Sequence, residues 1–333
     1  MIPTERPKAV LLFSGGLDSI LALKLLEEQG VDVLPLHLTT PFVGNPSKGF
    51  SNRMEALFGI EGLITKDLSL EFLPLLKSPP HGFGSQMNPC IDCKILFLKS
   101  AREVMEERGA AFLATGEVVG QRPFSQRKEA MRMIEREAGV EGILLRPLSA
   151  RLLPPTLPER EGIVQRERLM AIQGRSRKPQ LELAKRYGLK EIPSPAGGCL
   201  LTDPSYAKRL GNFLRISQDL NPENTLALLE VLRVGRHFNV ERSLLVVARN
   251  QAESTQLLNV PRGIRITSKE ATGLLLFKES PSQDALRIAG RIVARYARGV
   301  EGVAPVEYEE TRGLKRKTEV TPMPPEEVEE FLV

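Results

Sequence analysis

No stretch of the 333-residue sequence approaches the ~20 consecutive apolar residues that cross a membrane, and no signal-peptide core follows Met1-Ile2-Pro3-Thr4-Glu5-Arg6. A soluble, cytoplasmic protein is therefore expected. Cysteine is scarce, with three residues in all. An odd number cannot be fully paired, and three are too few to staple a chain of this length, so a disulfide framework is excluded and a metal or redox site fits better. Internal repeats and low-complexity tracts are absent as well. The charge excess is small, a formal +5 from 46 basic and 41 acidic residues, so composition permits a polyanionic partner without demanding one.

What is present is enough apolar material, 41% of residues, for a sizeable core spread over about two domains. The N-terminal two-thirds alternates short β-branched runs with amphipathic stretches, the pattern of βαβ units on a parallel sheet. Strands are expected near residues 9–13, 33–38, 63–64, 111–115 and 143–145. Helices are expected over 17–29, stopped by Gly30, and over 91–108, stopped by Gly109. Two long loops interrupt the rhythm, 40–53 with Pro41, Gly44, Asn45, Pro46 and Gly49, and 78–89 with Pro79, Pro80, Gly82 and Gly84. Loops of that length tend to be functional, which places them at the carboxyl end of the sheet. A third irregular stretch, 150–162, is rich in proline. The catalytic domain is expected over residues 1–205. Residues 206–333 read as a smaller α+β domain, with helices over 206–216 and after Asn221-Pro222, strands near 243–248 and 274–277, and a helix near 282–297.

The first strand runs directly into Ser14-Gly15-Gly16-Leu17-Asp18-Ser19 and a helix. Two glycines at a tight β-to-α turn point backbone N–H groups at the positive end of the helix, which makes an anion cradle. Ser14 and Ser19 can donate hydroxyl hydrogen bonds to phosphate, and Asp18 can hold a phosphate-bound Mg²⁺. No Gly-Lys-Ser/Thr follows at the spacing of the common nucleoside-triphosphatase loop. The motif resembles instead the Ser-Gly-Gly-x-Asp-Ser loop of the PP-loop ATP pyrophosphatases. That resemblance implies a Rossmann-like α/β fold of the adenine nucleotide alpha hydrolase type. It also implies that Ser14, Gly15, Gly16, Asp18 and Ser19 bind ATP, that the α-phosphate is attacked, and that pyrophosphate leaves.

Thr115-Gly116-Glu117, Gly120-Gln121, Ser125-Gln126 and Arg146-Pro147-Leu148 resemble stretches of tRNA 4-thiouridine synthases. The run from Arg175 through Ala184 to Ile192-Pro193-Ser194-Pro195-Ala196-Gly197-Gly198-Cys199 also resembles tRNA 2-thiouridylases. Together these cover residues 8–203. The sequence does not show, ahead of that stretch, the RNA-binding region that precedes the catalytic domain in most 4-thiouridine synthases. The resemblance implies a tRNA sulfurtransferase that adenylates a uridine carbonyl. It adds Thr115 and Gly116 to the ATP site and places Gln121, Arg127, Lys128 and Arg132 at the RNA. It also implies a sulfide or persulfide carrier as sulfur donor and is compatible with a homodimer. Lys128, Arg132 and Arg136 form a basic stripe at helical spacing, to be weighed against a solvated face paired with Glu129 and Glu135.

Cys90-Ile91-Asp92-Cys93 sits where a proline-rich loop enters a helix, whose N-terminus would stabilise thiolates. Three readings are open. Cys90, Cys93 and Cys199 can hold a [4Fe–4S] cluster with one iron free for sulfide. Alternatively, Cys199 can carry a persulfide that Cys90 or Cys93 resolves as a disulfide. A structural zinc would need a fourth ligand, His81 or Asp92. Some PP-loop thiolases resemble this CxxC pair plus a distant third cysteine, which favours the cluster. His37 is expected to be a satisfied core or edge histidine.

In the C-terminal part, Gly235-Arg236-His237-Phe238, residues 247–253 and the helix after Ala285 resemble the RNA-binding domain of the NFACT proteins. The sequence has no tryptophan, so a groove there would differ in its aromatic lining. Arg312, Lys315, Arg316 and Lys317 are expected either to grip RNA or to form a charged tail. Two readings compete with RNA thiolation: an adenylating ligase or sulfur-insertion enzyme acting on a small molecule, and a non-enzymatic RNA adaptor.

Overall fold

The computed structural model describes residues 6–43, 49–194, 198–217, 221–310 and 313–333. Expected features at Gly44, Asn45, Pro46, Pro195, Ala196, Gly197 and Arg312 lie outside the described residues. The chain divides into two compact units, Met1–Cys199 and Leu200–Val333, six residues ahead of the boundary expected at 205.

The first unit is built on five parallel strands, β1 (Lys8–Leu12), β2 (Asp32–Thr39), β3 (Ile64–Asp67), β4 (Phe112–Thr115) and β5 (Leu144–Leu145), in the order β3-β2-β1-β4-β5. All five lie where apolar β-branched runs predict them. Helices α1 (Leu17–Glu27), α2 (Phe50–Phe58), α3 (Ser69–Lys77), α4 (Cys90–Glu107), α5 (Lys128–Ala138), α6 (Leu157–Arg160) and α7 (Lys178–Arg186) complete the unit. The central strands are apolar on both sides because both sheet faces are covered. Ala9, Leu11, Ile20 and Phe112 belong to one buried cluster, while Val10, Leu36, Leu98 and Leu113 belong to another. Helix α2 corrects the expected 40–53 loop: it begins at Phe50, and Phe50, Met54 and Phe58 recur every fourth residue to cover the first cluster. His37 is buried at the end of β2, donates from Nδ1 to Phe13 O at 2.8 Å, and packs against Phe50, so it is a core residue.

The second unit holds an antiparallel sheet of six strands in the order β11-β10-β8-β9-β7-β6. These are β6 (Arg236–Val240), β7 (Ser243–Val247), β8 (Ile264–Ser268), β9 (Ala271–Phe277), β10 (Ala304–Glu310) and β11 (Lys315–Val320). Its helices are α8 (Pro204–Ile216), α9 (Pro222–Leu229), α10 (Gln251–Leu258), α11 (Gln283–Arg295) and α12 (Pro325–Glu329). Asn221 caps α9 as expected, accepting from Asn224 N at 2.8 Å. Helix α11 lays Ala285, Ala289, Ile292 and Val293 on the sheet core. Among the described residues no helix is long and apolar enough to cross a membrane.

Candidate nucleotide and thiol site

The strand order reverses between β1 and β4, the point where parallel sheets open a crevice beyond their carboxyl ends. Leu12 pairs with Thr115, so the chain leaves the two strands side by side, through Ser14-Gly15-Gly16 on one and Gly116-Glu117 on the other. A cleft of about 280 Å³ opens there, lined by Ser14, Asp18, Ser19, Thr115, Gly116 and Gln121, with Lys94, Glu117, Arg122 and Gln126 around them.

The phosphate loop has the shape its residues predict. Gly15 has φ +75, and a Cβ on it would lie 2.7 Å from the Phe50 ring, so this turn admits only glycine. Gly16 caps α1 in extended conformation, its N–H donating to Ser14 Oγ at 3.3 Å, and Ser19 Oγ donates to Gly16 O at 2.8 Å. Gly116 belongs to the same construction: a Cβ there would sit 2.5 Å from Asp18 C and 2.6 Å from Ser19 N. The β4 loop therefore lies directly on the first turn of α1. Gln121, expected at the RNA, donates from Nε2 to Asp18 Oδ2 at 2.9 Å and orients that carboxylate.

An ion-pair chain that periodicity does not reveal runs along one side. Lys94 bonds to Glu117. Arg146, 2% exposed, donates from Nε to Glu117 at 3.0 Å and from Nη1 to Glu135 on α5. Burial alone would raise the Glu117 carboxyl, but Lys94 and Arg146 outweigh it and hold it down at about 2. Burial opposes the Arg146 charge, and its two carboxylate partners overcome this and keep it protonated. Glu117 and Arg146 stand in the quoted motifs, yet their pairing is a long-range fact that spacing does not encode.

Helix α4 carries both kinds of chemistry. Cys90 and Cys93 lie in its first turn, while Lys94, Phe97 and Leu98 face the cleft. All three cysteines are partly exposed and unbridged. Asn88 Nδ2 donates to Cys90 Sγ at 3.2 Å. The expectation of helix-stabilised thiolates fails at Cys93: burial pushes its thiol well above the usual range, and Cys199 and Cys90, close enough to repel its charge, push it further. Among the described residues, no three His, Cys, Asp or Glu side chains surround a point as ligands of a single ion would.

The zinc alternatives bond to each other. His81 Nδ1 meets Asp92 Oδ1 at 2.7 Å, His81 N donates to Asp92 Oδ2 at 3.2 Å, and Nε2 meets Glu137 Oε1 at 3.0 Å. The Asp92 hydrogen bond, helped by Glu137, raises the His81 pKa against the effect of burial. His81 thus clamps the loop before the CxxC motif to α4 and α5.

On α5, Lys128, Arg132 and Arg136 are exposed, as is Arg127 just before it, and none forms an ion pair among the described residues. Of the two expected partners, Glu135 is turned inward to Arg146, and Glu129 is exposed with no ion pair among the described residues. In the second unit the outcome is reversed. Lys315 and Lys317 sit on edge strand β11 and reach Glu307 and Glu309 of β10 at 3.0–3.5 Å, so both lysines are paired within the hairpin, while exposed Arg316 donates to Gln283 of α11 at 2.7 Å.

Comparison with known proteins locates both units. Residues 5–151 match the family described as thiamine biosynthesis protein (ThiI), and residues 235–332 match the NFACT protein RNA binding domain. A probable tRNA sulfurtransferase of Methanosarcina mazei is 32% identical over 123 residues, 34% of this chain and 29% of that protein. One of Methanothermobacter thermautotrophicus is 26% identical over 234 residues, 68% of this chain and 52% of that protein. The chain thus spans about half or less of these relatives. A 4-thiouridine synthetase solved with RNA and bound ATP is similar at 22% identity, with a TM-score of 0.35 over 68% of this chain and 52% of that one. The U34-tRNA thiolase NcsA from Methanococcus maripaludis, solved with its [4Fe–4S] cluster, is similar at 18% identity, with a TM-score of 0.33 over 69% and 74%. The chain is therefore similar to the ThiI family across the phosphate loop and the CxxC pair, and to the NFACT RNA-binding domain across the second sheet.

Proposed function

We propose that the chain is an ATP-dependent tRNA sulfurtransferase that converts a uridine carbonyl to a thiocarbonyl, with 4-thiouridine favoured over 2-thiouridine. The observation that carries this reading is that α4 bears Cys90 and Cys93 in its first turn and, one residue on, turns Lys94, Phe97 and Leu98 to the cleft at the phosphate loop. The match to ThiI and the names of the relatives support it. A tRNA substrate would put the protein in the cytoplasm.

In this reading the backbone N–H groups at Gly15 and Gly16 and the hydroxyls of Ser14 and Ser19 hold the β- and γ-phosphates. Asp18, oriented by Gln121, would hold Mg²⁺ on the phosphates, since that ion needs only one or two protein carboxylates. The uridine carbonyl oxygen attacks the α-phosphorus and pyrophosphate leaves, so the oxygen becomes part of an adenylate leaving group. Sulfur then attacks the same carbon and AMP departs. Sulfide from a carrier protein or from solution is the donor, and Cys90, Cys93 and Cys199 would hold a [4Fe–4S] cluster, which would supply a binding place for that sulfide. In the alternative, Cys199 carries a persulfide and Cys90 or Cys93 resolves it. The exposed Arg127, Lys128 and Arg132 supply contacts for the RNA backbone.

The test is an anaerobic reaction with ATP, unmodified tRNA and sulfide, followed by AMP, pyrophosphate and thiolated nucleosides. RNA-dependent pyrophosphate release with thiouridine in the product is expected. Pyrophosphate release driven by a small molecule without RNA would overturn the reading in favour of a ligase. Iron and acid-labile sulfide in the same preparation separate the cluster from the persulfide route.

A further inference from the structure

The second unit has a cationic surface of a kind different from its paired β11 ribbon. Arg287, Arg291 and Arg295 recur every fourth residue along α11, and Arg298 follows three residues later. That repeat keeps the arginines off the side taken by Ala285, Ala289, Ile292 and Val293; Arg287 borders a groove that Lys315 and Arg316 of β11 also line, and Arg291 donates from Nε to Thr321 O at 3.1 Å. Successive members are about 6 Å apart along the axis, close to the separation of successive phosphates on a nucleic-acid strand. Near the ladder's C-terminal end Tyr296 packs against the core beside Phe238, and the exposed guanidinium of Arg236 covers its ring 4.8 Å from the centroid.

The counter-charges are few and loose. Arg287 meets Asp284 at 3.0 Å with both side chains more than 60% exposed, and Arg298 approaches Glu270 only to 3.9 Å. Arg291 reaches Glu327 at 3.3 Å, while Arg236 and Arg295 have no ion pair among the described residues. The exposed pairs at Arg287 and Arg298 contribute little and exchange readily for phosphate, whereas Arg291, 25% exposed, is held by Thr321 O as well as Glu327. The five arginines face three acidic neighbours, whereas on the hairpin Lys315 and Lys317 are both held by Glu307 and Glu309.

We propose that the α11 arginine ladder, with the Arg236–Tyr296 pair at its end, is the surface through which the second unit grips single-stranded or looped RNA. The arginines track the phosphates, and the flat guanidinium–tyrosine pair offers a stacking platform for an unpaired base. Acidic protein and anionic lipid would also meet the ladder's charge. Neither has a use for the aromatic platform, and the match of residues 235–332 to an RNA-binding family points the same way. The inference rests on the reading of RNA as substrate.

The experiment measures binding of the full chain, without ATP, to unmodified tRNA and to a single-stranded oligoribonucleotide across a salt series. Arg287→Gln with Arg295→Gln should weaken binding about tenfold or more and lower the salt slope by roughly 0.7 for each lost phosphate contact. Both residues are exposed, so the thermal midpoint should not move. Adding Arg291→Gln should extend the loss. Tyr296→Leu should cost roughly tenfold in affinity with the salt slope unchanged, and Lys315→Gln with Lys317→Gln should leave affinity within about twofold. Wild-type affinity and slope in the ladder variants, a loss confined to the β11 variant, or tighter binding to phosphatidylserine vesicles than to RNA would each overturn the inference. If the unaltered chain binds no RNA at low salt, the thiolation reading fails with it. If that chain binds RNA and the ladder variants do too, only the present inference fails.

Discussion

Gly116→Ala is the sharpest perturbation of the nucleotide site. The added methyl would lie 2.5 Å from Asp18 C and 2.6 Å from both Asp18 O and Ser19 N. All three are backbone atoms of the first turn of α1, so no side chain can rotate away, and contact at ordinary van der Waals distance requires β4 or α1 to retreat by about 1 Å. Overpacking of this kind costs about 1–3 kcal/mol, which in a unit of 199 residues corresponds to a fall of several degrees in Tm. The larger effect is on chemistry, because a misplacement of about 1 Å can cost 10²-fold in rate. Gly30→Ala is the matched control: it carries φ +81 and has nothing within 4 Å, so it brings backbone strain alone, far from the cleft. The assay is RNA-dependent pyrophosphate release beside thermal denaturation. Both variants should lose stability, and only Gly116→Ala should lose about two orders of magnitude in rate. Equal rates in the two variants would refute the placement of the phosphates against that turn.

Three further outcomes follow from the charges and thiols. Glu117→Gln leaves Arg146 and Lys94 without their shared carboxylate and should destabilise the chain by about 3 kcal/mol near neutral pH; because the Glu117 pKa is depressed, the difference from wild type should shrink as pH falls from 4.5 towards 2, which denaturation at stepped pH checks. His81 has a raised pKa, so its clamp contributes in full below about 6.5 and is lost as pH rises through the folded value. His81→Gln should therefore flatten that alkaline loss, read as the pH dependence of Tm. Cys199→Ala should retain pyrophosphate release and lose thiouridine formation, measured on the same samples, and retained thiolation would remove Cys199 from the sulfur path.

How much of this was legible in the sequence depended on how local each feature is. The parallel strands and the phosphate loop are carried by runs of neighbouring residues, and β1 with Ser14–Ser19 needed no distant partner to be recognised. Helix α2 was hidden because its apolar residues Phe50, Met54 and Phe58 open inside a stretch punctuated by glycine and proline. The second sheet was under-read for another reason. Strand β11 carries Lys315, Arg316 and Lys317 on an edge, and without the register that sets Glu307 opposite Lys317 and Glu309 opposite Lys315 it reads as a charged tail. The α5 stripe was undecided for the same cause, since Glu129 and Glu135 are equally good helical partners on paper.

That last ambiguity is where the pieces of the site connect. Glu135 leaves the α5 surface to bond with Arg146, Arg146 bonds to Glu117, and Glu117 bonds to Lys94, one residue beyond Cys93. One buried chain of alternating charge thus joins the proposed RNA helix, the ends of β5 and β4, and the thiol-bearing helix around the phosphate cleft. Each internal member has two partners, so removing any one strands an uncompensated charge in a poorly solvated place, and the penalty exceeds that of a surface pair severalfold. The arrangement also withdraws one carboxylate from the α5 cations. Glu135, which would have quenched them, is needed inside, and Glu129 stays on the surface without an ion pair among the described residues.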